Sequence, residues 1–145
     1  MSSNNKAVLD QFLRSNGVGD SALRERIAGG FDFRHPIYTS LIEPGDHLFQ
    51  YMRREEIGSA IPGVGNWFCL RGADMGGLAI FSGGPGRLLK EFTVSRPVVG
   101  LEGTAAPMNR NWDWAGGGPG GSTQIYLPYH ALMALVGLGT HLDGF

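Results

Sequence analysis

Glycine crowds three stretches of this chain, 58–65, 72–86 and 116–121, and that distribution limits the fold more than any other feature. Twenty-four of the 145 residues are glycine, against an average usage of about 7%. Glycine inside a helix is destabilising by roughly 0.5–1 kcal/mol relative to alanine. Long helices are therefore not expected in the second half, and short strands joined by tight loops are. The last cluster, Gly116 to Gly121, runs directly into Ser122-Thr123-Gln124-Ile125-Tyr126-Leu127-Pro128, a polar junction followed by a short apolar strand. Backbone in such loops can be approached closely by another molecule, and its exposed N–H groups can form concavities that suit an anion such as phosphate.

The first half reads differently. Val8, Leu9, Phe12 and Leu13 fall at helical spacing within 5–15, and Gly17 follows as a stop. A second short helix is expected over 20–28, capped by Asp20 or Ser21, with Leu23 and Ile27 four apart and Gly29-Gly30 at its end. Residues 31–44 read as irregular, broken by Pro36 and Pro44. Strands are expected over 46–53, 66–71, 88–94 and 125–127, with 97–101 extending or following the third. In the first of these, His47, Phe49, Tyr51 and Arg53 share one face and Leu48, Gln50 and Met52 the other. Residues 76–81 suit a short helix or strand, 109–114 a loop carrying Trp112 and Trp114, and 128–136 a short helix or apolar tail.

One domain of 145 residues with 42% apolar and 17% charged residues is long enough to bury its own core. A net charge of −1 without a basic block argues against a phosphate-tracking nucleic-acid surface. The single cysteine, Cys69, excludes an internal disulfide and reads as a small buried apolar residue. The first dozen residues lack the apolar core of a signal peptide, and the apolar run 131–138 is too short to span a bilayer. Export would then need a fused carrier or an injection machine.

Several motifs fail on context. Gly116, Gly118 and Gly121 match G-x-G-x-x-G, but the loop opens a strand rather than the helix of a dinucleotide-binding unit. Residues 82–87 lack the G-K-[ST] of a phosphate loop. His35, His47, His130 and His141 have no zinc-ligand spacing, so no metal is expected, and each reads as a surface or capping histidine. No nucleophile elbow is present, and no acidic pair is nominated by spacing; Asp113 and Asp143 are loose candidates.

Three segments in order carry a resemblance: Leu48-Phe49-Gln50-Tyr51-Met52-Arg53, then Gly65-Asn66-Trp67-Phe68, then Gly120-Gly121-Ser122-Thr123-Gln124-Ile125-Tyr126. Over roughly residues 46–128 the chain resembles the ADP-ribosyltransferase-like toxin domains of bacterial effectors. Its glycine-glycine-x-x-glutamine ending is similar to the NAD-degrading effectors among them, including the tuberculosis necrotizing toxin type and type VI secretion NADases. The resemblance implies an α+β fold with two small, bent antiparallel sheets around a cleft, behind a helical N-terminal segment at 1–34. It implies NAD+ or NADP+ as substrate, no separate cofactor, delivery into a target-cell cytoplasm and a cognate immunity protein as partner.

Residue roles follow from the same resemblance. Gln124 stands where the transferases carry a glutamate. Glutamine can hydrogen-bond a ribose hydroxyl but cannot act as a general base near neutral pH, which favours water over a protein acceptor. Gln124 and Arg53 are the expected catalytic pair, although Gln50 could take the place of the early arginine. Arg53, with Arg71, would neutralise the pyrophosphate; Trp67 or Tyr51 would stack on nicotinamide; Phe68, Gly121 and Thr123 complete the substrate-binding set. The alternatives are a mono-ADP-ribosyltransferase and a non-catalytic binding module in which Gln124 is an ordinary turn-to-strand residue.

Overall fold

The computed structural model describes residues 2–52, 66–71, 88–106 and 120–141. Helix α1, Ser2–Ser15, turns Leu9, Phe12 and Leu13 inward, each at most 7% exposed. Burying one such side chain contributes about 1.5–3 kcal/mol, so this stripe fixes which face of α1 meets the sheet. The helix ends as its sequence foretold. Gly17 adopts φ 88°, and Val18 N–H reaches back to the Leu13 carbonyl at 2.9 Å, which satisfies the last turn. Helix α2, Ser21–Ala28, is capped by Asp20, whose Oδ1 accepts from Ala22 N–H at 2.9 Å. Ile27 and Ala28 are its buried residues; Leu23, expected on the same inner face, is 39% exposed.

Seven strands follow: β1 (Tyr38–Ile42), β2 (Leu48–Met52), β3 (Trp67–Cys69), β4 (Leu88–Val94), β5 (Val98–Thr104), β6 (Thr123–Tyr126) and β7 (Leu135–His141). A four-residue helix, α3 (Tyr129–Leu132), stands between the last two. Pairing is antiparallel throughout, in the order β1-β5-β6-β3-β2-β4-β7. The described strands thus form one hydrogen-bonded sheet rather than the two small sheets expected. The reason is local: three-residue β3 pairs with β2 on one side and β6 on the other, joining the halves.

Each face of the sheet has its own core. On one, α3 covers Leu48, Phe68, Phe92, Ile125 and Leu127. On the other, α1 and α2 pack with Phe31 and Ile37 against Leu101 and Tyr126. Asn5 locks the helical layer in place. Its amide donates to the Phe33 and His35 carbonyls at 3.0 and 2.9 Å and accepts from the buried Ile37 N–H at 3.1 Å. Beyond the helices, the second face continues over β3, β2 and β4 as a smaller cluster of Phe49, Cys69 and Leu89, with Tyr51 against it.

Candidate active site

The junction into β6 is set by backbone geometry. Gly120 and Gly121 adopt φ of 75° and 98°, left-handed values that L side chains rarely take. At Gly120 a Cβ would also stand 2.5 Å from the Ala105 carbonyl oxygen, so only glycine lets this turn pack on the end of β5. Gly121 N–H bonds the same carbonyl at 3.0 Å, and Ala105 N–H bonds Ser122 O at 2.8 Å. Half-buried Thr123, opposite Thr104, then starts β6.

Gln124 is therefore delivered to the middle of the sheet, between Gly103 of β5 and Cys69 of β3. It is 7% exposed. Its Nε2 donates to the Gly30 carbonyl oxygen, which also accepts from Ala106 N–H at 3.0 Å. A carbonyl can take only the NH2 end of the amide, so this contact fixes which way the group faces. Its Oε1 accepts no hydrogen bond from the described residues. Among those residues no sealed side-chain oxygen or nitrogen lacks a partner, so Oε1 is not completely sealed. The outcome is an immobilised amide with a free acceptor.

Register defines its neighbours. Gly103, Gln124, Cys69, Phe49 and Glu91 are successive partners across β5, β6, β3, β2 and β4, and so share one face. Trp67 and Tyr51 lie two residues along on the same face. Half-buried Trp67 packs edge-on to Tyr126 at 5.3 Å and beside Phe31 at 5.2 Å, so it is both a wall and a remaining aromatic surface. The Arg71 guanidinium carbon stands 5.0 Å from the centroid of the Phe49 ring.

Not every expected site residue joins them. Gln50 and Phe68 alternate to the opposite face. Phe68 is 2% exposed and sits edge-on to Phe92 at 5.7 Å, within the core under α3. Buried Gln50 donates from Nε2 to the Trp67 carbonyl at 3.0 Å, which ties β2 to β3. Arg53, the loop tryptophans Trp112 and Trp114, and most of the 116–121 loop lie outside the described residues.

The structure adds two residues that sequence reasoning passed over, His47 and Glu91. His47 Nδ1 donates to Glu91 Oε2. A charged residue inside the apolar run of β4 was the available signal for Glu91. Cys69 sits on the row but is no nucleophile. It is 1% exposed, and burial pushes its thiol up to about 12. Among the described residues no group of three or more histidine, cysteine, aspartate or glutamate side chains could hold a metal ion.

No protein-family model matches the chain, and neither does any curated protein. Solved structures do. The fold is similar to that of Tse6 in complex with Tsi6, with 24% identity, a TM-score of 0.77 and coverage of 95% of this chain and 96% of that one. It is also similar to Tne2 in complex with Tni2, with 14% identity, a TM-score of 0.58 and coverage of 74% and 92%. A third likeness is to Rhs1-CT in complex with its cognate immunity protein RhsI1, with 16% identity, a TM-score of 0.54 and coverage of 80% and 86%. At these identities the likeness is one of fold, and in all three structures the similar chain is held by a second protein.

Proposed function

We propose that this chain is a toxin domain that hydrolyses the nicotinamide–ribose bond of NAD+ or NADP+ in a target cell and is neutralised by a cognate immunity protein. The observation that carries the reading is the Gln124 amide, anchored through Nε2 on Gly30, with no described residue bonded to Oε1. An acceptor held in one orientation suits a ribose hydroxyl, which must donate.

Breaking the N-glycosidic bond builds positive charge on the ribose, as in other glycosyl transfers. Nicotinamide leaves neutral, so little acid assistance is required. The protein's main contribution is to hold the sugar while the bond opens, and positioning alone can supply much of a rate. Trp67 and Tyr51, on the same face, offer aromatic surface to the departing ring. Gln124 cannot take a proton from an acceptor, so water completes the reaction, and this favours a hydrolase over a transferase. Rhs1-CT, found with a cognate immunity protein, supports a partner of the same kind here.

Incubation of the folded protein with NAD+ and separately with NADP+ tests the reading. Stoichiometric nicotinamide and ADP-ribose (or its phosphate) in the absence of any acceptor is the expected result. Intact dinucleotide after prolonged exposure overturns it, and mass gain on an added protein acceptor assigns a transferase instead.

A further inference from the structure

The short connector after α2 meets two members of the Gln124 face at a single residue. Gly30 lends its carbonyl oxygen to Gln124 Nε2 and, at 3.0 Å, to Ala106 N–H. The same residue lacks a side chain where the Trp67 indole comes closest. A Cβ there would stand 3.0 Å from Trp67 Cη2 and 3.1 Å from Cζ2. Carbon atoms pack best at about 3.5–4.0 Å, so an added methyl would push the ring.

Neither partner is free to drift. Gly30 N–H bonds Ile27 O at 3.0 Å and Phe31 N–H bonds Ala28 O at 3.1 Å, which ties the connector to α2. Phe31 bridges Ala105, and Asp32 N–H bonds Thr104 O at 2.8 Å, which ties it to β5. The indole is hemmed by the buried Phe31 and Tyr126 rings, at 5.2 and 5.3 Å.

Resting on the NAD(P)+ reading above, we infer that Gly30 is a positioning residue, whose carbonyl aims the Gln124 amide and whose bare α-carbon seats the Trp67 ring. One backbone point then sets the spacing between the group that holds the ribose and the aromatic surface offered to nicotinamide. That spacing matters because the bond to be broken joins those two parts of the substrate. A misplacement of about 1 Å can cost about a hundredfold in rate. The requirement for glycine is steric alone. Gly30 does not adopt a left-handed φ, so alanine meets no backbone strain there. Adjacent Gly29 supplies a matched contrast. A Cβ on it would lie 3.4 Å from Arg26 O and 3.6 Å from Glu25 O, with no contact to the indole.

Nuclear magnetic resonance of fluorotryptophan- and nitrogen-labelled protein, alongside nicotinamide release from NAD+, tests the assignment. Trp67→Phe identifies the Trp67 fluorine signal, Gln124→Met identifies the side-chain amide pair, and thermal melts confirm each variant's fold. Gly30→Ala is expected to move both signals and to lower kcat/KM about tenfold. Gly29→Ala should leave both signals in place and kcat/KM within about twofold. A phenyl ring lacks the atoms that meet the new Cβ, so in a Trp67→Phe background Gly30→Ala should cost less than about twofold more. A Trp67 signal unmoved by Gly30→Ala, undiminished turnover in that variant, or an equal loss in the Trp67→Phe background would each overturn the inference. Movement of both signals in a protein whose wild type releases no nicotinamide would leave the positioning standing and remove the hydrolase reading alone.

Discussion

Replacing Gln124 by methionine separates chemistry from architecture, because the structure makes the architectural cost small. The substitution keeps an unbranched side chain of similar length and removes the Nε2 donation to Gly30. The Gly30 carbonyl is not orphaned, since Ala106 N–H still occupies it at 3.0 Å. The loss is then the net value of one hydrogen bond, about 0.5–1.5 kcal/mol, partly offset by burial of the thioether at a site only 7% exposed. For a chain of this length that is a fall in Tm of about 4 °C or less. Activity should fall far more, by about a hundredfold, because the sugar loses its fixed acceptor. Gln124→Glu supplies a useful contrast. Its ionised carboxylate would set an acceptor against the Gly30 carbonyl, so this variant should be less stable than Gln124→Met at neutral pH and should recover as acid restores a donor. Scanning calorimetry and nicotinamide release on the same preparations read both quantities. A Tm drop beyond about 10 °C for Gln124→Met, or undiminished turnover, would refute the reasoning.

Gly120→Ala and Gly121→Ala should differ although both positions have positive φ. Gly121 has open space for a Cβ and should cost about 1–2 kcal/mol of strain, whereas Gly120 adds a backbone clash and should cost clearly more, as chemical denaturation would show. Asp32 is held down to about 2, first by the Arg34 side chain and then by its N–H. A depressed folded pKa means that the unfolded chain binds the proton first as pH falls, so this stabilisation is complete above about 4 and disappears toward about 2; Asp32→Asn should flatten acid unfolding in that window. Cys69 should react with a thiol reagent at pH 8 only after denaturation, since a thiol at about 12 leaves about one part in ten thousand as thiolate.

The elements that sequence revealed are those whose signal is local. The α1 stripe, the Asp20 cap and the Gly17 stop each need only neighbouring residues, and each is present. Strand β1 was hidden between Pro36 and Pro44 because, at the sheet edge, only Ile42 of its five residues is buried and no alternation results. Strand β7 has no sequence signal of its own: the helix-or-tail reading of 128–136 meets α3 and only the first two residues of β7, and Gly137 and Gly139 dilute the rest; long pairing with β4 supplies what propensity does not. Gln124 was legible as a residue type at a glycine-strand junction. Its anchor was not, since Gly30 lies 94 positions away. Likewise, alternation sorts Gln50 and Phe68 away from the Gln124 face once the register of β2, β3 and β6 is known, and no one-dimensional motif carries register.

That span of 94 positions has a consequence for when the protein can act. The Gln124 row draws on five strands scattered from β2 to β6, and the amide gains its tether only after the segment following α2 has docked beneath it. Such distant pairings are the slow ones in folding. Fragments, nascent chains and unfolded molecules all lack the assembled row, so whatever depends on the Gln124 amide waits for the closing of the last long-range contacts.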